Sequence, residues 1–225
     1  MRSVHRGSAP NTYTNYKSAR NDLTGRLGWF CSYCEMPVKN MIEVEHIQPV
    51  ANGGNELDWD NFLLACRYCN GVKSSSNADR AGYFWPDVDN TPLAFLYSEL
   101  NIIEPAISLQ NHETIFANAT IMLTGLNRSP HTGNEPTDAD SRWINRLIAL
   151  GVINDSYNDW LTIENEAFAR QIARTATGHG FYSFWLMKFA GIPLVIDAIN
   201  AAFLGTYITQ YNTLGVKTIR PTGTF

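Results

Sequence analysis

All four cysteines of the chain fall in two Cys-x-x-Cys pairs, Cys31/Cys34 and Cys66/Cys69. A turn of that spacing aims two thiolates to one side, and two such knuckles close a tetrahedral metal site. Zn²⁺ suits four thiolates and brings no redox chemistry. A site with all four positions filled by the protein is structural rather than catalytic. Paired disulfides would need an oxidising compartment, to which nothing in the chain points. A thioredoxin-like redox pair would explain one knuckle and leave the other unexplained. An iron–sulfur cluster has no accompanying feature. Structural zinc on Cys31, Cys34, Cys66 and Cys69 is the expectation.

The segment between the knuckles, residues 35–65, is about twice as long as a simple zinc ribbon needs. It carries "EVEHIQPV", residues 43–50, which reads as a strand around 42–47 with Glu45 and His46 side by side. A glycine-paired loop follows, "ANGGNELDWDN", ending in Trp59, Asp60 and Asn61. "FLLAC" reads as a second short strand, and "CNGVKSSSNADR", with Asn70 and Lys73, as the start of a helix. Singly, each polar residue has an ordinary explanation. A strand histidine is usually hydrogen-bonded and half-buried, Asn61 suits a turn, Asn70 a helix cap and Lys73 a solvated charge.

Taken jointly, "CSYCE … VEHIQPVANGGNELDWDNFLLACRYCNGVKS" resembles the zinc-containing branch of the HNH endonucleases, the ββα-metal fold. The resemblance covers residues 29–76, roughly a fifth of the chain. It implies metal-assisted hydrolysis of DNA phosphodiester bonds, leaving 5′-phosphate and 3′-hydroxyl ends. It assigns His46 as general base, a role that suits an imidazole near neutral pH. Glu45 becomes the metal-binding acid, and Asn61 the residue that ties a loop and so orients the histidine. Asn70 becomes the second ligand of a catalytic divalent ion. Lys73 and Arg67, with Tyr68 beside it, are the candidates for phosphate contact. Glu45 stands where aspartate is more usual, and Asn70 where many members have histidine. A hard oxygen donor such as the Asn70 amide suits Mg²⁺ or Mn²⁺. Neighbouring residues of a strand point to opposite faces, so joint action of Glu45 and His46 needs a bent or bulged backbone. The expected geometry is Glu45 and Asn70 facing one small site, with His46 across it and the zinc well away.

The fold class expected is α+β: a small ββα-metal nuclease module with structural zinc, then a mainly α-helical C-terminal domain. The divisions are an N-terminal arm and helix (1–28), the nuclease module (29–85) and a partner-binding helical domain (86–225). Residues 1–11 read as a loose terminus, and 13–27 as a helix closed by Gly28. "FLYSE" and "NIIEPAI" suggest a hairpin, and "HETIFANATIMLTG" a helix ending at Gly125. Asp138 is expected to cap a helix ending near Leu150–Gly151, with a longer helix over 156–176. Residues 181–205 are apolar enough to span a bilayer, but Lys188, Asp197 and the Gly191–Pro193 break favour two buried helices. The chain carries a net charge of −4, divided as +1 over residues 1–85 and −5 beyond. The first part is thus the polyanion-facing one. No apolar leader precedes residue 20, and the expectation is a cytoplasmic protein with reduced cysteines. "ATIMLTGLNRS" and "FYSFWLMKF…FLGT" resemble, more weakly, HNH nucleases of Septu- and retron-type anti-phage systems, which implies a defence effector with a partner ATPase. The competing reading is a non-catalytic zinc module that binds nucleic acid or a protein. Such a module has no need of His46.

Overall fold

The structure is a computed structural model that describes residues 1–98, 100–208 and 218–225. Its architecture is α+β. Strand β1 (Glu43–His46) pairs antiparallel with β2 (Phe62–Ala65), placing Glu43 opposite Ala65 and His46 opposite Phe62. All four residues of β2 are buried, which fits its unbroken apolar sequence. Helix α2 (Arg67–Lys73) follows at once. Its N-cap is Cys66, whose sulfur accepts the Cys69 N–H at 3.4 Å, so the second knuckle and the helix start are one device. The ββα unit is thereby complete within residues 43–73.

Helix α1 (Arg20–Leu27) follows a short 3-10 turn (Tyr16–Ala19) and ends at Gly28, whose φ of 76° favours glycine. The expected loose terminus is not loose at its start. Met1, Arg2, Ser3 and Val4 are buried. The Arg2 guanidinium donates to the Leu27 carbonyl at 2.7 Å and the Leu204 carbonyl at 2.6 Å, so one cation ties the N-terminal arm to two distant segments of the chain. The exposed stretch of the arm is residues 8–12.

Beyond the module, helix α3 (Thr91–Ala94) leads into strand β3 (Phe95–Tyr97), which pairs with β4 (Ile103–Pro105) in the expected hairpin; Glu99 lies outside the described residues. Helix α4 (Asn111–Thr124) opens with a capping box between Gln110 and Glu113 and stops at Gly125. The next two helix boundaries differ from the sequence reading. Helix α5 runs from Arg142 to Ile163, after Ser141 rather than Asp138, and passes straight through Gly151. One exposed glycine costs about 1 kcal/mol in a helix, less than the packing that holds Leu150 and Ile153 in the core. The break falls instead at Glu164, in left-handed geometry, and Asn165, whose side chain caps α6 (Glu166–His179). The apolar run divides into α7 (Tyr182–Lys188) and α8 (Pro193–Ala202), on either side of Gly191. Among the described residues no helix is long and apolar enough to cross a membrane.

Buried side chains from the arm, the ββα unit and the helices form one hydrophobic cluster. The helical part also reaches the knuckles directly. Glu35 accepts hydrogen bonds from the Ser183 N–H (2.9 Å) and hydroxyl (2.5 Å), and Arg142 Nη1 donates to Cys69 Sγ at 3.0 Å.

Candidate active site

The four cysteine sulfurs lie within 4.8 Å of one another, all buried and none in a disulfide. Tetrahedral coordination at a Zn–S distance of ~2.3 Å requires sulfurs ~3.8 Å apart. Cys34 Sγ and Cys66 Sγ are 3.8 Å apart. Donor set, spacing and burial therefore fit a structural zinc. The first knuckle is closed by the Glu35 N–H donating to the Cys31 carbonyl, with Glu35 at φ 65°. It is stitched to β2 by the Ser32 N–H donating to the Leu64 carbonyl at 2.7 Å.

Strand β1 and helix α2 border an open cleft of about 660 Å³, walled by Tyr16, Glu43, His46, Glu56, Arg67 and Asn70 among others. His46, at the end of β1, is half-buried, its ring 4.7 Å from that of Tyr16 and 5.4 Å from that of Phe62. Its Nε2 is 3.0 Å from the Glu56 carbonyl oxygen. A carbonyl only accepts, so in the neutral ring this contact assigns the proton to Nε2 and the lone pair to Nδ1.

Asn61 holds the loop that brings Glu56 there. Its side chain accepts from the Gln48 N–H at 2.8 Å and donates to the carbonyls of Gln48 and Asn55, each at 3.0 Å. Gly54 sits inside the same loop, where a Cβ would collide with the Gln48 carbonyl oxygen. Only glycine permits that approach. Arg67, at the first position of α2, is exposed on the cleft wall.

Two site residues do not sit as the sequence reading has them. Lys73 is fully buried, its ammonium 2.6 Å from Glu45 Oε1 and 2.9 Å from the His46 carbonyl. It offers nothing to a phosphate in solvent. Glu45 is 2% exposed and also accepts from the Tyr33 hydroxyl at 2.7 Å. Burial pushes its carboxyl above the ordinary range, against the pull of Lys73. Burial, and then the Glu45 charge, push the Tyr33 phenol well up. The structure thus turns the Glu45 carboxylate inward and does not set it against Asn70.

The carboxylate that does meet Asn70 belongs to Glu43, at 2.7 Å from Oε2 to the amide nitrogen. Glu43 was missed by sequence reasoning, although a signal was present. Glu43 and Glu45 share a face of β1, and Asn70 and Lys73 share a face of α2. Strand and helix therefore face each other in two rungs, Glu43 with Asn70 and Glu45 with Lys73.

A zinc-stapled ββα unit with a histidine, an asparagine and a carboxylate around an open cleft has the arrangement of a ββα-metal nuclease module. In agreement with this, the family model for HNH endonuclease matches residues 31–76, which span both knuckles, both strands and α2. No curated protein matches the chain. The match points to nuclease activity in this segment and to a nucleic-acid substrate.

Proposed function

We propose that this chain is a metal-dependent endonuclease that hydrolyses DNA phosphodiester bonds at the cleft beside His46. The observation that carries this reading is the state of His46. Its Nε2 is engaged by the Glu56 carbonyl, in the loop that Asn61 ties down through the neighbouring Asn55 carbonyl, and in the neutral ring Nδ1 keeps its lone pair. In the reaction Nδ1 takes a proton from a water molecule as its oxygen attacks phosphorus. The bond from phosphorus to the 3′-oxygen breaks, and that oxygen leaves as a hydroxyl after protonation by solvent. The 5′-phosphate remains on the other fragment. Asn70 and a carboxylate of β1 are the residues that would hold a hard divalent ion. When bound, Mg²⁺ or Mn²⁺ supplies positive charge to the non-bridging and leaving oxygens. Arg67, exposed on the wall, would pair with a backbone phosphate.

The test is cleavage of plasmid DNA by zinc-loaded protein with Mg²⁺ or Mn²⁺, beside His46→Ala. Cutting by the wild type and a loss of at least ~100-fold in the variant is the expected result. Equal cutting by both would sink the role given to His46. One observation favours a second reading, a zinc module that binds without catalysis. The acid at the family's metal-ligand position, Glu45, is occupied by Lys73. DNA binding without cutting by either protein is the outcome that reading requires. A defence effector under the control of a partner ATPase is a finer reading that rests on the C-terminal resemblance alone.

A further inference from the structure

We infer that Glu43, rather than Glu45, is the carboxylate that holds the divalent ion with Asn70. Glu45, with Lys73 and Tyr33, is an internal clamp that positions the strand carrying His46. This rests on the nuclease reading above and assigns its metal ligands anew.

The argument begins with the state of each carboxylate. Both Glu45 oxygens are engaged, Oε1 by the Lys73 ammonium at 2.6 Å and Oε2 by the Tyr33 hydroxyl at 2.7 Å. Turning this group toward the cleft would strand a buried ammonium, since the remaining polar neighbour of Lys73 is the His46 carbonyl. A buried cation without its counter-ion is among the costliest arrangements a fold can hold. Glu43 is in the opposite situation. It is half-buried on the cleft wall, and among the described residues its carboxylate meets only the Asn70 amide.

The spacing of that pair suits an ion. Two oxygens in adjacent octahedral positions around Mg²⁺, each at about 2.1 Å, lie about 3 Å apart. The Glu43 and Asn70 side-chain atoms are 2.7 Å apart. Rotating the amide exchanges its nitrogen for its oxygen at almost the same point, and nothing among the described residues donates to Oδ1 in the present rotamer. The existing hydrogen bond thus marks where a shared cation would sit.

The clamp has a separate task. Lys73 reaches the carbonyl of His46 itself, so one ammonium fixes both Glu45 and the backbone of the general base. Glu45 and Lys73 are therefore positioning residues that touch neither substrate nor ion.

The test is titration of the zinc-loaded chain with Mn²⁺, free Mn²⁺ being read by electron paramagnetic resonance. The proteins are wild type, Glu43→Gln, Asn70→Ala and the charge-neutral double variant Glu45→Gln/Lys73→Met. Glu43→Gln and Asn70→Ala are expected to weaken Mn²⁺ binding at least about tenfold. The double variant is expected to bind Mn²⁺ as the wild type does, while its kcat on DNA falls and its KM is unchanged. If Glu43→Gln binds like wild type and the double variant does not, Glu45 is the ligand; the inference fails and the nuclease reading stands. If the wild type binds no Mn²⁺ and His46→Ala cuts DNA as well as wild type, both fall together.

Discussion

Replacing Lys73 by methionine isolates the clamp. The substitution keeps an unbranched apolar stem and removes the ammonium, at a position with no solvent exposure. Three things then change together. Glu45 keeps the Tyr33 hydroxyl and loses its counter-ion, the His46 carbonyl loses a donor, and Trp85 loses a cation 6.0 Å from its ring centre. Removing one partner of a buried ion pair costs about 3–5 kcal/mol, because the other charge is left buried and uncompensated. For a chain of this size each kcal/mol moves the melting temperature by about 2–4 °C, so a fall of roughly 6–20 °C is expected. The double variant Glu45→Gln/Lys73→Met removes both charges and keeps an acceptor for Tyr33. Most of the lost stability should therefore return. The assay is thermal unfolding of zinc-saturated protein followed by circular dichroism, with Arg170→Met as reference. That residue pairs with Glu166 on the surface of α6, side chains 55% and 74% exposed, where such pairs are worth about 0.3–0.5 kcal/mol. A Lys73→Met melting point no lower than that of Arg170→Met, or a double variant as unstable as the single one, would refute the reasoning.

Other perturbations probe other parts of the same frame. Asn61→Ala strands the Gln48 N–H and the Gln48 and Asn55 carbonyls, and should cost about 1–3 kcal/mol in urea unfolding. Its cutting of DNA should fall through kcat as the Glu56 carbonyl loses its fixed place. Metal analysis of the purified chain should give one zinc per molecule, and Cys69→Ser should lose both the zinc and the cooperative melt, since metal binding and folding are coupled in such sites. Arg142→Met removes a buried pair with Asp140 at 2.7 Å and a donor to Cys69. It should cost about 3–5 kcal/mol and speed zinc loss to a chelator, measured by a colorimetric zinc indicator.

What could be read in the sequence was what depends on local spacing. The knuckles, β1 and β2 follow from Cys-x-x-Cys turns and short apolar runs, while α2 starts earlier than the expected "CNGVKSSSNADR", on the Cys66 cap, and stops at Lys73. The hairpin β3–β4 and the split of the apolar run also have local causes, a polar turn and a Gly–x–Pro break. The misreadings arise where distant contacts decide. Gly151 looked like a helix end, yet α5 continues because the residues on either side are packed by other helices. The arm looked loose because Arg2 has its carbonyl partners about 25 and 200 residues away. The choice between Glu43 and Glu45 is of the same kind. Both lie on one face of β1, and only the register against α2 shows which one meets Asn70 and which one Lys73.

The distant contacts also bear on how much of the chain the site requires. The family match ends at residue 76, but several groups that fix the site lie outside it. Tyr16 packs on the His46 ring, Trp85 lies over Lys73, Ser183 binds Glu35 in the first knuckle, and Arg142 binds Cys69 in the second. By itself the ββα unit would leave the ion pair and the knuckles without these partners. The arm and the helices supply the missing walls. Displacing α5 would withdraw Arg142 from the zinc cluster, and displacing the turn before α1 would uncover His46. The parts of the chain outside the family match thus set the conditions under which the histidine is held in place.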